Sequence, residues 1–227
     1  LNVVIIEDCT QSMYSNITRI EADYYVGSIR KWCGVPDGGF AVCNSGQFID
    51  KPLEFDLELQ AAKKYASELK YSYLYDSKGE KKVFLEAYRI AEDILSNQKR
   101  TYAISNLSKV VQSNLDIEEM KRCRKANFKY LLYRITDIKY ITPIFKKLND
   151  NETPLYFPII CNNRSKIQKI LVENSIYAPI VWPKDPACPS VSIDADFLYE
   201  QLLCIPIDQR YDIDDMDRII SVLHEIQ

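Results

Sequence analysis

Four apolar positions in a row, Val3 to Ile6, stand at the start of the chain and predict a strand buried on both faces. Residues 22–27 and 39–43 are short runs rich in aromatic and β-branched side chains and bounded by glycine, which predicts two more strands. A turn-rich stretch, Ser28 to Gly38, separates them. Beyond it the period lengthens. Leu53, Leu57, Ala61, Tyr65, Leu69 and Tyr73 recur every four positions, which predicts a helix over 53–75 with that stripe as its apolar face. A second helix is expected over 81–96, after the turn Ser77-Lys78-Gly79. A third, over 116–135, opens with Asp116 as N-cap and Glu118 and Glu119 in its first turn.

The texture then changes. Residues 154–161 read as a strand, 164–174 as a helix, 177–182 as a strand, 194–203 as a helix and 203–207 as a brief strand. The last helix, 213–226, carries Ile213, Met216, Ile219, Ile220 and Leu223 on one side, and Asp212 with Asp215 resembles a capping box. These elements predict an α/β part over 1–112 and a small α+β part over 113–227. A strand buried on both faces needs neighbours, so the first part is expected to be the later portion of a larger α/β domain.

Composition narrows the chemistry. With 227 residues, 47% hydrophobic and 27% charged, the chain is long enough for a sizeable core and has the balance of a globular protein. Its net charge of −3 offers no basic footprint for nucleic acid or a membrane surface. His224 is the only histidine, which removes Ser-His-Asp triads, Cys-His pairs and multi-histidine zinc sites. Seven scattered cysteines with no C-x-x-C pair read as reduced thiols of a cytoplasmic protein, with no metal site.

In an open parallel sheet, ligands gather beyond the carboxyl ends of the strands. Asp8 and Gln11 follow the first strand, and Ser28, Arg30 and Lys31 follow the second. A guanidinium and a hydroxyl suit a phosphate, and Lys31 is left for another task. Equally ordinary readings stand beside these: Asp8 as an N-cap, Ser28 to Lys31 as a solvated basic turn, and Cys33 as a bystander thiol.

The order strand, Glu7-Asp8-x-x-Gln11, short strand, Ser28-x-x-Lys31, then a turn ending in Gly38-Gly39 and a further strand, resembles the pyridoxal-phosphate-dependent aminotransferases of fold type I, in particular their DegT-like sugar-aminotransferase branch. The likeness is strong from Asn2 to about Val42. It continues more weakly through Asn162-Asn163-Arg164-Ser165-Lys166, Asn174-Ser175-Ile176 and Ile205-Pro206.

This resemblance implies the later part of a fold-type I large domain followed by a small α+β domain. It makes pyridoxal 5'-phosphate the cofactor, Lys31 the residue that carries it and moves the proton, and Asp8 the partner of the pyridine nitrogen. Gln11 would lie near the ring, Ser28 would donate to the phosphate, and Arg30 would help. The implied partners are an amino-acid donor, a keto-sugar nucleotide acceptor and a second copy of the chain in a homodimer. Trp182 is a candidate to face substrate against a structural anchor between two prolines, and Arg164 a candidate carboxylate clamp against a plain surface role. Val26 stands where the branch usually has its phosphate-binding serine. The three-residue interval from Ser28 to Lys31 is closer to the cysteine desulfurases, which place a histidine where Arg30 stands. The branch's phosphate loop and ring-stacking aromatic residue belong to segments ahead of the first strand. Two other readings are therefore kept: a non-catalytic scaffold of the same fold, and a lyase or desulfurase using the same cofactor.

Overall fold

The computed structural model describes residues 3–49, 51–190 and 192–226. Asn2, where the resemblance starts, lies outside them. The chain divides into two units, one made of Leu1–Gln11 and Arg19–Leu115, the other of Ser12–Thr18 and Asp116–Gln227.

In the first unit a three-stranded sheet has the order β1 (Ile6–Asp8), β2 (Tyr24–Ser28), β3 (Gly39–Cys43). The β1–β2 pair is parallel, with Asp8 opposite Val26, and β2–β3 is antiparallel, with Ser28 opposite Gly39. A single 3₁₀ turn, Ile29–Lys31, ends β2. It is held from beneath by Gly38, whose φ of 116° is a left-handed value and whose missing Cβ would otherwise sit 2.6 Å from Ile29 and 2.7 Å from Ile104.

Two long helices then form a hairpin, α1 (Leu57–Tyr75) and α2 (Lys81–Ser96), followed by the short α3 (Asn106–Ser113). Asp56 caps α1 by accepting the Leu59 N–H at 2.8 Å. Ala66 and Ala91 are fully buried, and residues with no side chain beyond Cβ let two helices approach closely.

Three expectations change here. The run Val3 to Ile6 is exposed: β1 is an edge strand paired with β2 from Ile6 to Asp8, and Val3 to Ile5 precede it. On α1 the buried positions are Leu59, Lys63 and Ala66, while Leu57 and Tyr65 of the expected stripe face solvent. The helix carries two candidate stripes, and spacing alone does not say which one meets α2. Helix α3 was not expected; Ser105 caps it by accepting the Ser108 N–H at 3.1 Å.

The second unit is built on an antiparallel sheet of order β4 (Ile141–Pro143), β5 (Tyr156–Cys161), β6 (Leu202–Pro206). Helices α4 (Ile117–Arg134), α5 (Arg164–Glu173), α6 (Ile193–Gln201) and α7 (Ile213–Glu225) complete it. Strand β5 alternates strictly, turning Phe157, Ile159 and Cys161 into a core shared with Phe128, Leu131, Leu171, Leu203 and Ile220. Each of these leucine, isoleucine and phenylalanine side chains contributes about 1.5–3 kcal/mol on burial.

Asp116 accepts the Glu119 N–H at 2.9 Å, and Asp212 and Asp215 form the expected reciprocal box at the start of α7. Residues 177–182 are not a strand. Pro179 has no N–H to give, and the segment's tie to β6 is the Cys204 N–H donating to the Pro179 carbonyl at 3.2 Å. His224 is exposed in the last turn of α7, 3.7 Å from Asp137.

Candidate functional site

Because β1 and β2 run parallel, their carboxyl ends lie on one edge of the first unit's sheet. Asp8 ends β1, Ser28 ends β2, and the 3₁₀ turn carries Arg30 and Lys31 directly onward. Gln11 is half-buried in the turn that leaves β1. Thus Asp8, Gln11, Ser28, Arg30 and Lys31 come together at one edge. Trp182 and Arg164 belong to the second unit, where Trp182 is exposed. There the Arg164 guanidinium donates to the Tyr199 carbonyl and to that of Leu202, so it braces the junction of α6 and β6.

The residue that organises the edge is Thr10. Its N–H donates to Asp8 Oδ1 at 2.8 Å, an Asx-type turn in place of a helix cap. Its hydroxyl oxygen accepts the Ser28 N–H at 3.0 Å, and its carbonyl accepts the Trp32 Nε1–H at 2.6 Å. A fourth bond, Cys9 N–H to the Val26 carbonyl at 2.7 Å, continues the ladder beyond β1. One short turn therefore fixes the strand end bearing the acid to the turn bearing the amine. Trp32 is fully buried and anchors that turn from the far side of Lys31.

Hydrogen bonds from the Thr10 hydroxyl and N–H hold the Asp8 carboxyl below its ordinary range, with slight burial acting against them. Asp8 is thus an anion at neutral pH. Lys31 is exposed, and among the described residues its ammonium makes no hydrogen bond or ion pair. Arg30 is engaged: its Nη1 lies 3.2 Å from Glu92 Oε1 on α2, a carboxylate that the nearly buried Lys63 also reaches. Burial pushes the Cys33 thiol up, so it is no activated nucleophile.

Below the edge lies a cavity of about 500 Å³ lined by Ser28, Arg30, Gly38, Gly39, Asp56 and Lys109, among others. Asp37, also on its wall, receives the Ser105 and Ser108 hydroxyls at 2.7 and 2.5 Å and so locks α3 to the turn before β3. No group of three or more metal-ligating side chains occurs among the described residues.

Thr10, Trp32 and Glu92 were not singled out by the sequence reading. The Asp8-x-Thr10 spacing is a legible Asx-turn signal. Trp32 and Glu92 act through tertiary contacts that leave no local trace.

No protein-family model matches the sequence, and neither does the sequence of any characterised protein. Comparison with solved structures does give matches. The DegT DnrJ EryC1 StrS aminotransferase from Brucella abortus superposes with a TM-score of 0.55 at 18% identity, over 97% of this chain and 56% of its own. The sugar aminotransferase CalS13 from Micromonospora echinospora gives 0.58 at 14%, over 99% and 58%. The protein NtdA from Bacillus subtilis, with bound cofactor PMP, gives 0.57 at 16%, over 98% and 50%. The chain thus spans between 50% and 58% of the lengths of these three structures. Across that span it has the α/β fold of the fold-type I aminotransferases, matching a later part of their large domain followed by a small α+β domain.

Proposed function

We propose that the protein is a pyridoxal-phosphate-dependent aminotransferase that moves an amino group from an amino acid to a keto-sugar nucleotide. The observation that carries this reading is the bracketing of Asp8 and the Ser28–Trp32 turn by Thr10 at one edge of the parallel β1–β2 pair. The donor set at that edge fits the cofactor. An anionic carboxylate suits a protonated pyridine nitrogen, a hydroxyl above a cavity with Arg30 on its wall suits a phosphate, and a primary amine without a partner suits attachment. The fold likeness to sugar aminotransferases supports the substrate class, and the PMP bound to the Bacillus subtilis protein supports the cofactor.

When bound, the cofactor supplies the electron sink for a substrate carbon that has lost its proton. The chain's own residues supply the rest. Asp8 would keep the ring nitrogen protonated, a task its lowered pKa favours because the carboxyl stays anionic. Ser28 and Arg30 would orient the phosphate, Gln11 would face the ring, and Lys31 would hold the cofactor and then move the proton. The site is proposed to be completed by a second copy of the chain. Residues 1–112 would form the cofactor-binding part and 113–227 the small domain.

A second reading, a non-catalytic scaffold of the same fold, is favoured by one observation: both Asp8 and Lys31 are exposed, whereas proton transfer requires a dry site. Borohydride reduction of the protein loaded with pyridoxal phosphate separates the two. Mass spectrometry is expected to find the reduced cofactor on the peptide containing Lys31. A cofactor found on no lysine, or scattered over surface lysines and unaffected by Lys31→Ala, would select the scaffold. Pyruvate, alanine or sulfide as product in place of an aminated sugar would select a lyase or desulfurase.

A further inference from the structure

A second cavity of the first unit, about 810 Å³, lies between α1, α2, the Cys33–Pro36 turn and the start of α3. That volume is within the roughly 300–1,000 Å³ typical of small-molecule pockets. Its wall is apolar at Val35, Leu57 and Leu107. Its polar wall is unusual in two independent ways.

The first concerns charge. Lys63 is 5% exposed, and a lysine is almost never that buried without a partner. Its partner is Glu92, but Arg30 contacts the same carboxylate oxygen, so two cations share one anion. Lys64 and Glu68, also on the wall, pair with each other, so the wall carries one surplus positive charge. The second concerns hydrogen bonding. Gln60 Nε2 is buried and has no hydrogen-bond partner among the described residues, and orphaned donors of this kind are rare in native interiors.

The geometry points to this cavity as a binding site for a small organic monocarboxylate with an apolar body. One carboxylate would accept from Gln60 Nε2 and offset the single surplus charge shared by Lys63 and Arg30, while the body lies against Val35, Leu57 and Leu107. A phosphate dianion would overcompensate that charge and leave the apolar wall without a partner. An uncharged ligand would leave the charge standing. Lys31 does not line this cavity, and Arg30 is the one residue it shares with the cavity proposed for the cofactor phosphate.

Benzoate is the probe, titrated calorimetrically into the purified protein with and without saturating pyridoxal phosphate, with methyl benzoate as the neutral control. The expected result is one-to-one benzoate binding, at least tenfold weaker for methyl benzoate and for both Gln60→Leu and Lys63→Met, tenfold being about 1.4 kcal/mol. Lys31→Ala is expected to bind benzoate unchanged. Gln60→Leu keeps the side-chain volume and leaves every ion pair in place, so it reads the site even if Lys63→Met fails to fold. The proposal is overturned by absence of binding, by equal affinity for the ester, by full affinity in Gln60→Leu, or by loss of binding in Lys31→Ala, which would place benzoate at the Lys31 edge.

Discussion

The indole N–H of Trp32 donates a 2.6 Å hydrogen bond to the carbonyl of Thr10. These residues lie on separate strand ends, one two positions after Asp8, the other one position after Lys31. The bond therefore sets the acid and the amine in a fixed relation without either touching the other, and both stay open to a ligand. Trp32→Phe should keep most of the ring's packing but lose this bond and leave a small void. Stability should fall by about 2 kcal/mol, measured by urea unfolding. A loss below about 0.5 kcal/mol would mean that the bond does not hold the two strand ends together.

Thr10 also sets the acidity of Asp8. Its hydroxyl and N–H both favour the ionised carboxyl, so the folded-state pKa lies below the unfolded one. The stabilisation is present above the ordinary carboxylate pKa of about 3.9 and is lost as pH falls through the lowered folded value. Thr10→Val removes the hydroxyl and keeps the N–H. The Asp8 pKa should rise toward its ordinary value, read by carboxyl-carbon NMR titration, while Thr10→Ser should leave it near the wild-type position. An unmoved Asp8 titration in Thr10→Val would falsify the assignment of its acidity to that hydroxyl.

Lys31 separates function from stability, because its side chain is exposed and no partner holds it among the described residues. Lys31→Ala should shift unfolding free energy by no more than about 0.5 kcal/mol, as at ordinary surface positions. The proposed aminotransfer should fall in the same variant by roughly 10²–10⁴-fold, the usual contribution of a positioned acid–base group, and by more where the attachment is also lost. Comparable activity in the variant and the wild type would remove Lys31 from the chemistry.

Glu92 joins the turn of the candidate site to the helical hairpin. Burial raises its pKa, but the hydrogen bond from Lys63 and the charge of Arg30 outweigh that and leave it below the usual range. A depressed carboxylate stabilises above its unfolded pKa and ceases to do so as pH drops through the folded one. Glu92→Gln should therefore flatten the acid limb of stability. At pH 7 it should cost about 1–3 kcal/mol, less than a fully buried pair because Glu92 is 52% exposed. Adding Lys63→Met should recover part of the loss by removing the uncompensated buried ammonium, and the double-mutant cycle measures how much.

The sequence made some of this legible and hid the rest for identifiable reasons. Helix α4 was readable from Asp116 and its acidic first turn, and α7 from Asp212 with Asp215, because capping is a local affair between residues three apart. Strand β3 was readable from its composition over Gly39–Cys43. The exposure of Val3 to Ile6 was not, since an apolar run states a preference for burial and says nothing about which neighbours are present. Nor was the buried face of α1, where Lys63 points inward because Glu92, distant in sequence, awaits it. At the candidate site, the order of Asp8, Ser28 and Lys31 was visible. The part played by Thr10 as their bracket needed the parallel register of β1 and β2.

The cysteines give a last test, because seven thiols of one chemistry sit in different surroundings. Burial pushes Cys161 up to about 12 and Cys204 up to about 11, so both are neutral across the physiological range and shielded within the second unit. Cys9 is also raised by burial and is 1% exposed. Cys188 is exposed. Since the thiolate is the reacting species, iodoacetamide at pH 7.5 should label Cys188 first and leave Cys9, Cys161 and Cys204 unmodified until the protein unfolds. In mild urea the order of labelling reports which unit opens first: Cys9 marks the first, Cys161 and Cys204 the second. Early labelling of Cys161 or Cys204 in the native protein would contradict the packing of Phe157 and Ile159 beside them on the same strand and the neighbouring one.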